Sequence, residues 1–258
     1  MALDHADDGN TSTEAAEAEE VDDLRDSLTS LSQLAMNSLS LPQMLTHIAE
    51  FAVKAIPGAI GAGLTLEHGD RRDTIVATDD FVVEVDTIQY ALGEGPCITA
   101  AAEGRTVRSG SLGGDVHWPR FGPRAGRLGV HSALSLPLSA GNGTLGAINV
   151  YAHAKNAFDD RAVRLGELFA VPAAVSVENA RTLANALLLT HQLETALTNR
   201  KVIDHAIGII VSRIGCTSTE AFARLRAMSQ RDGIKLTAVA HSIFDDAQRR
   251  AQARRTGP

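Results

Sequence analysis

Cysteine and aromatic side chains are scarce in this 258-residue chain, which has two cysteines, Cys97 and Cys216, and ten aromatic residues with one Trp among them. Two cysteines outside any CxxC pair exclude a four-thiolate zinc cage and a disulfide scaffold, and they read as reduced thiols. No run approaches the ~20 consecutive apolar residues that span a bilayer. The first 20 residues are acidic where a secretory leader is basic and then apolar, so a soluble cytoplasmic protein is expected. GxxxxGK[ST], HExxH, GxSxG and GxGxxG are all missing. No pair among the nine histidines stands at helical metal-ligand spacing with a third ligand. The expectation is a protein that is not an enzyme and holds no metal.

What is present is a globular composition, 44% hydrophobic and 21% charged, on a length that suits one large domain or two modest ones. The net charge of −7 hides a polarity. Residues 1–30 carry ten Asp or Glu against one Arg, whereas residues 190–258 carry eleven Lys or Arg against six acids. A basic end on an acidic chain is either a solvated helical face or the contact surface for an anionic partner, nucleic acid first.

Residues 1–20, rich in Asp, Glu, Ala and Thr, read as a disordered acidic tail. Leu24, Leu28, Leu31 and Ala35, then Leu45, Ile48, Ala52 and Ile56, recur at helical spacing and predict two amphipathic helices, the second stopped by Pro57-Gly58. Ile60, Ala62, Leu64 and Leu66 alternate as a half-buried strand does, with Thr74 to Thr78 as its hairpin neighbour. Short helices around Asp86 to Ala91 and Cys97 to Ala102 precede a strand at Thr106 to Ser109 and a loop, Gly110 to Gly129. Strands His131 to Leu138 and Thr144 to Tyr151 follow, joined by Gly141-Asn142-Gly143. Such an order predicts an α+β fold, an antiparallel sheet with flanking helices.

From Asp159 a helical run reaches Arg213, with only Pro172 interrupting. Leu189, Leu193, Ala196, Ile203, Ile207 and Ile210 give it a coiled-coil or helix-hairpin seam broken at Arg200. Residues 183–198 read as a helical connector and a homodimer contact. Beyond Gly215, Thr217-x-x-Glu220 is a capping box, Asp232-Gly233 is a breaker, and Thr237 is the expected cap of a last helix. Ile207, Ile210, Phe222, Leu225, Leu236, Val239 and Ile243 would close a small three-helix bundle over residues 199–248. Residues 249–258 form a basic tail.

Four residues are candidates for a small-molecule pocket. Cys97 follows the tight turn Gly93-Glu94-Gly95-Pro96, where a helix N-terminus could make it a reactive thiolate or where it could close the turn as a small buried residue. Trp118 and Phe121, in a glycine-rich loop, either stack on a ligand or anchor the loop. His131 stands beside a strand. The cluster Asp79-Asp80 to Asp86 reads as a solvated loop. For nucleic acid, the basic end has only Phe222 and Phe244, both expected on apolar faces. Binding would then rest on Arg200, Lys201, His205, Arg213, Arg224, Arg231 and Lys235.

Leu193 to Ala247 resembles the ANTAR domain of transcription antitermination regulators. The residues that carry the resemblance are Arg200, Ile203, Ala206-x-Gly208, Ala221-Phe222, Leu225-Arg226, Ser229 and Leu236-x-x-Val239-Ala240. Ile207 stands where many relatives have a lysine. Residues 40–182 resemble a GAF domain through LGEGPCITAAAEGRTV, DVHWPRF, SALSLPL and TLGAINVYAHAKNAFDD, and with the N-terminal helices the expected sensor domain spans residues 21–182. The pairing is typical of actinobacterial cytoplasmic regulators. It implies an RNA-binding antitermination regulator acting on hairpins in nascent transcripts, with a GAF sensor for a small-molecule or protein signal whose identity, and whose cofactor if any, stays unknown. RNA contacts are then expected from Arg200, Lys201, His205, Ala206, Gly208, Arg231 and Lys235. Ala206 and Gly208 are small because either a neighbouring helix or the RNA approaches closely. Two other readings stand beside it: a DNA-binding regulator using the helices from Thr217 and Thr237, and a thiol redox sensor centred on Cys97.

Overall fold

The chain, described by a computed structural model over residues 8–34, 39–68, 71–141 and 143–256, folds as two compact units that divide between Ala184 and Asn185. In the first, helices α1 (Asp8–Leu34) and α2 (Leu41–Ala55) lead into strands β1 (Gly61–His68) and β2 (Arg71–Ala77). Helices α3 (Asp80–Leu92) and α4 (Pro96–Glu103), strand β3 (Val107–Ser109) and helix α5 (Gly122–Arg127) follow. Strands β4 (Ser132–Ala140) and β5 (Gly143–Ala152) precede helix α6 (Asp160–Ile214). All neighbouring strands pair antiparallel, in the order β2-β1-β5-β4-β3.

Side chains alternate across this sheet and both faces are covered. Ile148 and Val150 of β5 join Leu45, Ile48, Leu64, Leu136 and Phe169 in one core. Tyr151 joins Val82, Val85, Trp118, Phe121 and Ala133 in a second. Strand β1, expected to be half-buried, is buried from Gly61 to Leu66, because α3 closes over its glycine face. A Cβ on Gly61 would meet Phe81 at 2.5 Å and one on Gly63 would meet the Asp86 carboxylate at 2.3 Å.

The expected tail over residues 1–20 gives way to helix from Asp8 onward. Ala and Glu are strong helix formers, and Arg161 of α6 ties the segment down by pairing with Glu17 and Glu20. Leu24 and Leu31 are buried as their spacing predicts. Residues 1–7, Ala35 and Asn142 lie outside the described residues. Helix α6 also runs through Pro172, whose missing N–H leaves only the carbonyl of the exposed Leu168 without its helical partner.

The second unit comprises the end of α6, α7 (Ser218–Asp232) and α8 (Leu236–Thr256). Thr217 and Glu220 form the expected capping box, the Glu220 N–H donating to Thr217 Oγ1 at 3.3 Å and the Thr217 N–H to Glu220 Oε2 at 2.9 Å. Thr237 does not cap α8. That helix starts one residue earlier, with the Lys235 carbonyl accepting from Ala238 and Val239, and it continues through most of the segment expected as a basic tail. Ala206, Ile210, Ala221, Leu225, Val239 and Ala240 make the bundle core. Every residue from 185 to 198 is exposed, Leu187, Leu188, Leu189, Leu193 and Leu197 each by more than half.

Candidate functional site

Packing against β1 and β5 puts the inner face of α3 into a fully buried polar cluster. Asp86, assigned from sequence to a solvated loop, is buried at its centre. Its Oδ1 accepts from the Tyr151 hydroxyl, from Gln89 Nε2 at 3.0 Å and from Asn149 Nδ2 at 3.3 Å. Gln89 Nε2 also donates to the Tyr151 oxygen at 2.8 Å, and Gln89 Oε1 accepts from the Cys97 backbone N–H at 3.0 Å. Gly95 is required here: its φ is +153°, and a Cβ would lie 2.1 Å from Gln89 Oε1. Asn149 Oδ1 and Ser135 Oγ, on directly paired residues of β5 and β4, are buried without a hydrogen-bond partner among the described residues.

Cys97 belongs to this cluster, with Sγ 3.6 Å from the Tyr90 hydroxyl and 3.8 Å from Thr65 Oγ1. Burial first, then the neighbouring Asp86, push its thiol up to about 11, the opposite of a reactive thiolate. Burial and Asp86 likewise raise the Tyr151 phenol. The folded state therefore holds the Cys97 proton more tightly than the unfolded chain, whose thiol titrates near 9. Stability from this source is complete below that value and is lost as pH rises toward about 11. The melting temperature of the first unit is expected to fall across this range, less so in Cys97→Ala. Iodoacetamide at about pH 8, below the ordinary thiol range, should label Cys97 only after denaturation. Labelling of the folded protein there would contradict this assignment.

Of the other three pocket candidates, Trp118 and Phe121 share a core with Tyr151 of that cluster. Trp118 and Phe121 are buried in the apolar second core, with the indole N–H donating to Thr99 Oγ1 at 3.2 Å, so they anchor their loop. His131 is half-buried ahead of β4, and backbone bonds to Leu112 and Ala152 fix its position. The loop is latched by Glu94, which accepts from the Arg120 and Phe121 backbone N–H groups at 2.7 and 3.1 Å and from Arg120 Nε at 2.7 Å. Burial would raise the Glu94 carboxyl, but these bonds outweigh it and hold it below its ordinary value.

In the second unit five of the sequence-predicted residues divide between two faces of α6, and Arg231 and Lys235 lie beyond it. Ala206 is fully buried in the bundle core, so its small size serves helix packing and it is unavailable to RNA. Gly208 is the reverse: a Cβ there would meet nothing within 4 Å. Lys201, His205, Gly208 and Ser212 recur at i, i+4, i+7 and i+11 and form one exposed stripe. Arg200 is exposed, with Asp204 at 3.9 Å. Arg231 is exposed and donates to Asp232 in hydrogen bonds of 2.7 and 3.1 Å, while Lys235 is exposed between α7 and α8.

The first unit is thus an antiparallel sheet with an apolar core on one face and a polar cluster enclosed on the other, and the second is a basic helical bundle. The GAF domain family model matches residues 38–178 and the ANTAR domain model matches residues 191–243. The chain belongs to the GAF domain family, as a regulator with a sensory GAF domain and a C-terminal ANTAR output domain. Similar solved structures include the GAF domain of a phosphoenolpyruvate-protein phosphotransferase from Coxiella burnetii, 14% identical over 63% of this chain and 97% of that one with a TM-score of 0.49. Another is the free methionine-R-sulfoxide reductase of Neisseria meningitidis in complex with its substrate, 16% identical over 62% and 91% with a TM-score of 0.48. A third is the type II free methionine-R-sulfoxide reductase of Thermoplasma acidophilum, 15% identical over 57% and 94% with a TM-score of 0.45. No curated protein matches the sequence. Among the described residues, no helix is long and apolar enough to cross a membrane, and no group of three or more His, Cys, Asp or Glu could hold a metal ion.

Proposed function

We propose that this chain is a cytoplasmic, homodimeric, RNA-binding transcription antitermination regulator whose GAF domain controls the grip of its ANTAR bundle on a hairpin in nascent RNA. One observation carries the reading: the ANTAR match falls on a unit with eleven Lys or Arg against six acids, whose exposed stripe bears Lys201, His205 and Gly208. The chain acts by binding and not by catalysis, in keeping with a Cys97 thiol that is buried and held protonated. In the sensor, the unpartnered Asn149 Oδ1 and Ser135 Oγ are the groups a bound signal would address. The signal acts by favouring one of two states, and only to the extent that it binds them differently.

Replacing Arg200 and Lys201 with Ala is expected to weaken binding to a hairpin RNA. For every phosphate that is no longer neutralised, the plot of log affinity against log salt should flatten by about 0.7 to 0.9. Helicity by circular dichroism should stay at the parent level. A parent protein that prefers duplex DNA to hairpin RNA in direct competition would replace this reading with that of a DNA-binding regulator.

A further inference from the structure

Resting on that RNA reading, we infer that the groove between α6 and α8 is a stacking site for one unpaired RNA base, with His205 and Phe244 as its platform and Gly208 as its floor. The two rings stack, with centroids 5.3 Å apart and planes 19° from parallel. Phe244 is only half-buried and stands outside the apolar core of the bundle, so its ring packs on His205 and borders solvent. The groove beside it measures about 440 Å³ and is also lined by Ser212, Arg213 and Asp204 and by the apolar Ile209 and Ala247.

Gly208 is the second observation. Glycine is a poor residue for a helix interior, and here no neighbour requires it, since its Cβ position is open. The missing side chain keeps the groove wide enough for a flat ring to lie against the backbone of α6. Charge decides between a base and an apolar peptide as the occupant. Lys201 stands nearly two turns before Gly208 on the same stripe, Arg213 lines the groove, and the unit as a whole is basic. A phosphodiester chain finds cations there while its base finds an aromatic face, the pairing by which single-stranded nucleic acid is held. The Ser212 hydroxyl and Asp204 carboxylate supply acceptors for the exocyclic amino group of an adenine, guanine or cytosine. In a hairpin, such a base comes from the loop, where it is already unstacked.

The test uses the full chain and two RNA probes, a hairpin pool with a randomised loop and the same stem as a fully paired duplex, with a 2-aminopurine placed in the loop of the tightest hairpin. The parent is expected to prefer the hairpin and to quench the 2-aminopurine. Gly208→Leu fills an open space and should fold normally, yet weaken hairpin binding about ten-fold or more; His205→Ala should do the same. Stacking releases no counterions, so the salt slope should stay at the parent value, unlike that of the Arg200 and Lys201 variants. The stacking site is overturned if Gly208→Leu and His205→Ala bind the hairpin like the parent, or if both lose affinity equally for hairpin and paired stem. It is also overturned if Gly208→Leu changes the sedimenting mass, which would assign the groove to a second copy of the chain. A parent that binds neither RNA would fell the antitermination reading itself, a distinguishable result.

Discussion

On the proposed homodimer, replacing Leu189 and Leu193 together with lysine is expected to give monomers in sedimentation equilibrium. Residues 185–198 are helical yet exposed on every side, with five leucines each more than half open to water. A helical stretch of about 14 residues packed against nothing is marginal in water, and such a patch on a monomer is a liability. Leu189 and Leu193 lie on the seam that continues through Ala196 and Ile203, the spacing that lets two identical helices interlock. Two lysines per chain would set four cations against each other along that seam. The folds of the two units should survive, because no residue from 185 to 198 contributes to either core. A double variant that sediments as a dimer alongside the parent would move the contact to another surface.

Asp86→Ala is expected to unfold the first unit or to lower its melting temperature by about 10 °C, leaving the second unit's transition in place. The substitution removes the acceptor for Tyr151, Gln89 and Asn149 at once. Each buried polar group left unsatisfied costs about 1–3 kcal/mol, and a domain has only about 5–15 kcal/mol in total. The loss therefore reaches a large share of the whole, and at about 2–4 °C per kcal/mol for a domain of this size it is readable by calorimetry. Asp86→Asn keeps an acceptor oxygen in place and should be milder. Equal melting of Asp86→Ala and the parent would mean that the polar cluster contributes nothing to stability.

Features that act over a few residues were legible in the sequence. The Pro57-Gly58 stop, the Thr217 capping box and the Asp232-Gly233 breaker all reside in contiguous chain, and the alternating strands gave the sheet. What stayed hidden depends on partners far apart. Asp86 looks like one acid among several until Asn149 and Tyr151, more than 60 residues downstream, are brought against it. Phe244 looks like a core residue until His205, on another helix, stacks on it. The i, i+4, i+7, i+11 pattern of Lys201, His205, Gly208 and Ser212 was readable in advance, and it would have separated Gly208 from the buried Ala206, which lies on the opposite side of the helix. The helical state of residues 8–20 was obscured for a different reason: their acidity argued for solvation, while Arg161, over 140 residues later, supplies the cation that holds them.

Were a signal to enter the second core of the sensor, the latch between Glu94 and Arg120 would stand in its way. Trp118 and Phe121 already occupy that interior, so a molecule seeking it can bind only the fraction of protein in which the loop has lifted. Its apparent dissociation constant equals the intrinsic one divided by that fraction. If about one molecule in 100 is open, an intrinsic constant of about 1 μM is observed as about 100 μM. In that case the strength of one half-covered ion pair and two inward-turned rings would set the concentration at which the sensor responds. Arg120, which touches no part of the polar cluster, becomes a means of retuning that threshold without altering what is recognised.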